Sequence, residues 1–122
     1  MKRDMDLIRE ILLVIESNPA GEMIHEISIP DDRWNDAELI GHLRLIHEAG
    51  LTDGTMEFFP DEVMIALYGL SNSGHDLLDT IRNETVWENT KATVTKAGGS
   101  VAIETLKIIA TAAMTKHLGL GG

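Results

Sequence analysis

Ser71, Ser73, His75 and Asp76 fall within six residues of the stretch "LSNSGHDLLDTIRNETVWENTKATV". A serine, a histidine and an aspartate are the parts of an activated nucleophile. That chemistry needs three side chains to converge in space. Neighbours on one helical turn point away from one another. "GLSNS" also misses the nucleophile-elbow form G-x-S-x-G by one residue. The same residues make a good helix start: Ser71 or Ser73 as N-cap, with Asp76 in the first turn, where the helix dipole favours an anion.

The five histidines raise the question of a metal. His42 and His47 are five residues apart, so they do not share one helix face. "HEAGL" at 47–51 lacks the second histidine of H-E-x-x-H. His25 lies on the apolar side of an expected strand and reads as a core-edge residue. His117 sits near a helix C-terminus, which favours its charged form. Gly98-Gly99-Ser100 has backbone donors for a weak anion contact, but a helix–helix turn explains the same residues. No metal, no cofactor and no enzymatic activity is expected. Trp87, in an amphipathic helix, reads as core. Trp34, in a polar loop beside Arg33, reads equally as core-edge or as an anchor for a partner.

These residues sit on elements that the periodicity outlines. A helix is expected from Asp4 to Ser17, with Met5, Ile8, Leu12 and Ile15 as its stripe. "MIHEISI" at 23–29 alternates and reads as a short strand, with Met23, His25, Ile27 and Ile29 on one face. Asn35 and Glu38 form a capping-box pattern before a helix that Gly50 stops. A hairpin follows, with strands over about 51–59 and 63–70 and Pro60-Asp61 at the turn. Its second strand is apolar on both faces, Met64/Ala66/Tyr68/Leu70 and Val63/Ile65/Leu67, so something must cover the second face. Thr85 and Glu88 mark a capping box for a helix from about 86 to Gly98. Ser100 is expected to cap a last helix over about 101–118, and "GLGG" to fray. The last helix is apolar round more than half its circumference, wider than one core requires. Ile65, Leu67, Val101, Ile108 and Ala112 are therefore the expected homodimer interface.

A chain of 122 residues makes one domain. The apolar run Ile11–Ile15 is too short to span a bilayer, so no membrane partner is expected. The basic start "MKR" is followed at once by acidic residues, Asp4, Asp6 and Glu10, without a small-residue cleavage site, and there is no cysteine. A cytoplasmic location is expected. The net charge is −10, with Lys2 and Arg3 the adjacent cations and the others scattered. Such a surface repels phosphate backbones.

The order helix, strand, helix, hairpin, helix resembles a winged helix. The resemblance sharpens at "HLRLIHEAGLTDG", 42–54, like the end of a recognition helix and the entry to its wing. "MKRDMDLIREILLVIE", "HLRLIHEAGL", "LSNSGHDLLDTIRNETVWENTK" and the Gly-Gly before the last helix together resemble domain of unknown function family 2513, found in bacteria and their phages. That resemblance implies a fold and a phage or prophage setting, and no site residues. The fold class expected is α+β. Residues 1–82 form a winged-helix-like core, and 85–118 a helical hairpin on that core or on a second copy.

Two departures bear on function. Only Pro30 to Trp34 separates the strand from the helix at 35–49, too short for the first helix of a helix-turn-helix. That helix offers Arg44 against Asp36, Glu38 and Glu48, and the wing has Asp53, Glu57, Asp61 and Glu62 without a cation. The favoured expectation is a non-enzymatic module that binds a protein partner through an acidic surface, including mimicry of a nucleic acid. The alternative is a dimeric DNA-binding regulator. In either case the facing residues are Trp34, Gly41, His42, Arg44, Leu45 and His47.

Overall fold

A computed structural model describes residues 1–120. Helix α1, Met5–Ser17, starts at Asp4, whose Oδ1 accepts from Leu7 N at 3.2 Å. It buries Leu7, Ile8, Ile11, Leu12 and Ile15, as the 3.6-residue period requires. Helix α2, Asp36–Glu48, opens with the full capping box: Asn35 Oδ1 accepts from Glu38 N, and Glu38 Oε1 accepts from Asn35 N. Gly50, at φ +77°, stops it. The Gly50 and Leu51 amides then donate to the His47 and Ile46 carbonyls, and Leu51 drops into the core.

Strands β1, Thr52–Phe58, and β2, Val63–Leu70, pair antiparallel. Phe58 faces Val63 and Met56 faces Ile65 across the ladder. The register shifts at Asp53/Gly54, which leaves Tyr68 as an extra residue in β2. This bulge corrects the expected alternation. Leu70 joins Ile65 and Leu67 on the buried face, while Met64 and Tyr68 stay on the outer one. None of the described residues covers the outer face at those two positions: Tyr68 is 52% exposed and Met64 56%.

The strand expected at 23–29 does not form. The chain touches the free edge of β2 once, where Ile24 and Leu67 exchange backbone hydrogen bonds of 2.6 and 3.1 Å. Ile24 and Ile27 are buried three residues apart, so the chain bends instead of alternating. His25 and Met23 are exposed, not core-edge.

Helices α3, Asn72–Ile81, α4, Glu84–Lys96, and α5, Ile103–His117, complete the chain. Asn83, not Thr85, caps α4, with its Oδ1 accepting from Val86 N at 3.1 Å. Asparagine is a strong N-cap, and it stands two residues earlier than the threonine. Ser100 does not cap α5. Gly98 and Gly99, both at positive φ, close α4, and α5 begins after Ala102 without a side-chain cap. The Leu120 and Gly119 amides donate to Thr115 and Lys116 carbonyls, so the tail is an ordered turn through Leu120. Gly121 and Gly122 lie outside the described residues. Helices α4 and α5 pack on each other, and both pack on α3. One apolar cluster runs from Met5 to Ala110 and includes Trp87.

Candidate functional site

The face expected to meet a partner is built by α2 and the tip of the hairpin. Arg44 projects outward from α2. Its Nε donates to Glu48 Oε1 at 2.7 Å, one turn along, and its guanidinium lies 4.2 Å from the centre of the Phe58 ring. Between residues 36 and 62 there are seven carboxylates and one guanidinium. That guanidinium is already paired, so the face as a whole is negative. Phe59, 47% exposed, stands at the hairpin turn beside Asp61 and Glu62.

The other expected site residues divide. Gly41 and Leu45 are half-buried on α2, with Gly41 beneath the Met1 side chain. His42 is fully buried and cannot face a partner. Its Nε2 accepts from Asp4 N at 2.8 Å, and its Nδ1 meets the Glu38 carbonyl at 2.8 Å. A carbonyl only accepts, so the proton is on Nδ1. His47 turns its Nδ1 to Thr52 Oγ1, 2.7 Å away, and joins α2 to the start of β1.

Trp34 is half-buried against the core, and its Nε1 donates to Asp4 Oδ2 at 2.9 Å. Arg33 covers the ring at 4.2 Å and pairs with Asp31 at 2.8 Å. The hydrogen bond from Arg33 holds the Asp31 carboxyl below the usual carboxylate range. The cation beside Trp34 is therefore also neutralised.

Ile65 and Leu67 are in the chain's own core, which removes them from any dimer interface. Ile24 pairs with the backbone of Leu67, and both side chains lie in the one apolar cluster. Val101 is half-buried against the same core. Ile108 and Ala112 do lie on the outer face of α5. Ser71 is a cap: its Oγ accepts from Gly74 N and donates to the Gly50 carbonyl. No group of three histidine or carboxylate side chains gathers around one point among the described residues. None of the described helices is long and apolar enough to cross a membrane.

Sequence reasoning missed the polar contacts of α1. Arg9 is buried on the apolar stripe, i+4 from Met5 and i−3 from Leu12. That position was the available signal. Asp6 Oδ1 accepts from Trp87 Nε1 at 3.0 Å and pairs with Lys91 at 3.1 Å. Nothing in residue spacing marks that contact, because the partners are 81 positions apart.

These features define a small α+β domain, with five helices and one two-stranded antiparallel hairpin among the described residues. The chain belongs to the family described as "Hypothetical protein (DUF2513)", whose model matches residues 2–100. It is similar to an "Uncharacterized protein" of Haemophilus influenzae, 32% identical over 120 residues, which span 97% of this chain and 99% of that one. No solved structure matches it.

Proposed function

We propose that the protein is a non-enzymatic interaction module with a winged-helix-like core, binding a protein partner through the acidic surface of α2 and the hairpin. The observation that carries this reading is the pairing of Arg44 with Glu48 and Phe58. Arg44 is the only lysine or arginine on these elements, and its charge is already matched by Glu48, so this surface offers a phosphate no uncompensated cation. Seven carboxylates in this region favour a partner rich in lysine and arginine. Phe59, Tyr68 and Met64 add exposed apolar contacts, the kind that anchor interfaces. Spaced carboxylates also resemble a nucleic-acid backbone, which suits the module to occupy a surface meant for nucleic acid.

A second reading, a dimeric DNA-binding regulator, has one observation in its favour. Helix α2 leads directly into the hairpin, as a recognition helix leads into a wing. It needs Gly41, Arg44 and Leu45 to meet DNA without His42. No helix precedes α2 between Ile24 and Asn35 to hold it across the groove.

Fluorescence anisotropy against a random-sequence duplex, at low and then physiological salt, separates the two. No binding at low salt is expected. Binding that falls steeply with salt transfers the lead to the regulator. A parallel pull-down from lysate compares the wild type with Phe59→Ser/Tyr68→Ser. Basic proteins retained by the first and lost by the second are expected, and none above background counts against the module.

A further inference from the structure

The face of α5 turned away from the core carries Ile108, Thr111, Ala112 and Thr115, with Glu104 near one end and Lys116 near the other. Ile108 is 71% exposed, more than any other large apolar side chain in a helix or strand of the described residues. A single exposed isoleucine is ordinary. Its setting is not. Thr111 and Ala112 stand beside it on the C-terminal side and Thr115 a turn further, with Glu104 and Lys107 on the other side, so a second helix can approach closely over the small side chains.

The charges then choose the occupant. Ile108 and Ala112 lie two residues either side of Ala110, and Glu104 and Lys116 lie six residues either side. At 1.5 Å per residue the two charges stand about 9 Å from that midpoint in opposite directions. An antiparallel copy of α5 sharing the midpoint sets Ile108 level with Ala112 of the second copy. It also sets Glu104 level with Lys116 of the second copy, and symmetry makes each match twice. A parallel copy would set Glu104 beside Glu104 and Lys116 beside Lys116. Lys116 makes no ion pair among the described residues, and Glu104 pairs only with Lys107 of its own helix, at 3.0 Å.

We propose that this face is a homodimer interface, in which α5 packs antiparallel on α5 of a second copy at the level of Ala110. It is separate from the acidic α2–hairpin surface and does not depend on how that surface is used.

Sedimentation equilibrium of the full chain, up to about 0.5 mM, tests it. A concentration-dependent dimer is expected. Ile108→Glu is expected to abolish it while leaving the circular dichroism unchanged, since Ile108 is outside the core. Glu104→Lys or Lys116→Glu alone weakens the dimer several-fold, and the two together restore it. The chain has no cysteine, so single introduced thiols report the arrangement. Thr111→Cys, near the midpoint, is expected to form a disulfide-linked dimer on oxidation. Glu104→Cys is not, because its two copies would stand about 18 Å apart along the helices. A monomer at every concentration, or a dimer indifferent to Ile108→Glu, overturns the proposal. So does cross-linking through position 104 in place of 111.

Discussion

Arg9 on α1 donates from Nε to the carbonyl of Ile81 at the end of α3, 3.0 Å away. Its Nη2 reaches the Arg82 carbonyl at 2.8 Å and Glu84 Oε1 at 3.0 Å. One buried guanidinium therefore satisfies the end of α3 and the beginning of α4, where the chain changes direction. Arg9→Met keeps the length of the stem but leaves two carbonyls without this donor. A loss of about 3 kcal/mol in urea unfolding is expected. Arg9→Lys recovers only part of it, because a point charge does not reproduce the fork. An unchanged midpoint for Arg9→Met would show that water serves these carbonyls as well.

Gly54 and Gly50 both have positive φ, +126° and +77°, but only one is enclosed. A Cβ on Gly54 would stand 2.2 Å from the Ala66 carbonyl oxygen, backbone that cannot swing aside. A Cβ on Gly50 meets nothing within 4 Å. Gly50→Ala is expected to cost about 1 kcal/mol, the conformational term alone. Gly54→Ala is expected to cost more than about 2 kcal/mol and to disturb the bulge that sets Leu70 inward. Thermal unfolding of the two variants side by side reads the difference, and equal costs would refute the close approach.

His42 links the start of α1 to α2, and its geometry requires the proton on Nδ1. Long-range nitrogen–proton NMR at neutral pH is expected to show that tautomer, the less common one for free imidazole. A signal from the Nε2–H form would contradict the bond from Asp4 N. His42→Phe fills the space but leaves the Asp4 amide without its acceptor, and a loss of about 2 kcal/mol is expected.

How much of this was legible in the sequence follows the range of the interactions. The box of Asn35 and Glu38, the stop at Gly50 and the cap at Ser71 act within a few residues, and their residue types announce them. The last helix has more apolar residues than one stripe needs, and Ile108 stands outside the core. Alternation at 23–29 does not make a strand because a strand needs a partner edge, and β2 offers it only Leu67. Leu70 shares a face with Ile65 and Leu67 and not with Met64 and Tyr68, because a bulge shifts the period by one and leaves no mark on β2 itself. Its nearest signal was Gly54 on the facing strand. Residue type alone leaves Trp34 open between two roles, because the contact that fixes its indole, Asp4, is 30 positions away.

Arg82, just past α3, forks both oxygens of Glu16 on α1 and also pairs with Asp79 at 2.9 Å. The hydrogen bonds from Arg82 hold the Glu16 carboxyl below its ordinary value of 4.5. A carboxyl lowered by folding adds stability above its unfolded pKa and loses it as pH falls through the lower folded value. Both side chains are partly exposed, so screening keeps the contribution near 0.5 kcal/mol, on the order found for surface pairs. Glu16→Gln is therefore expected to lower the urea midpoint slightly at pH 7. The gap should begin to close as pH falls below about 4.5, and it is gone once the pH is below the lowered folded value, where the wild-type carboxyl is also neutral. It should narrow in high salt as well, since exposed pairs are screened. A gap that persists at low pH would mean that Glu16 acts through packing of its stem rather than through its charge.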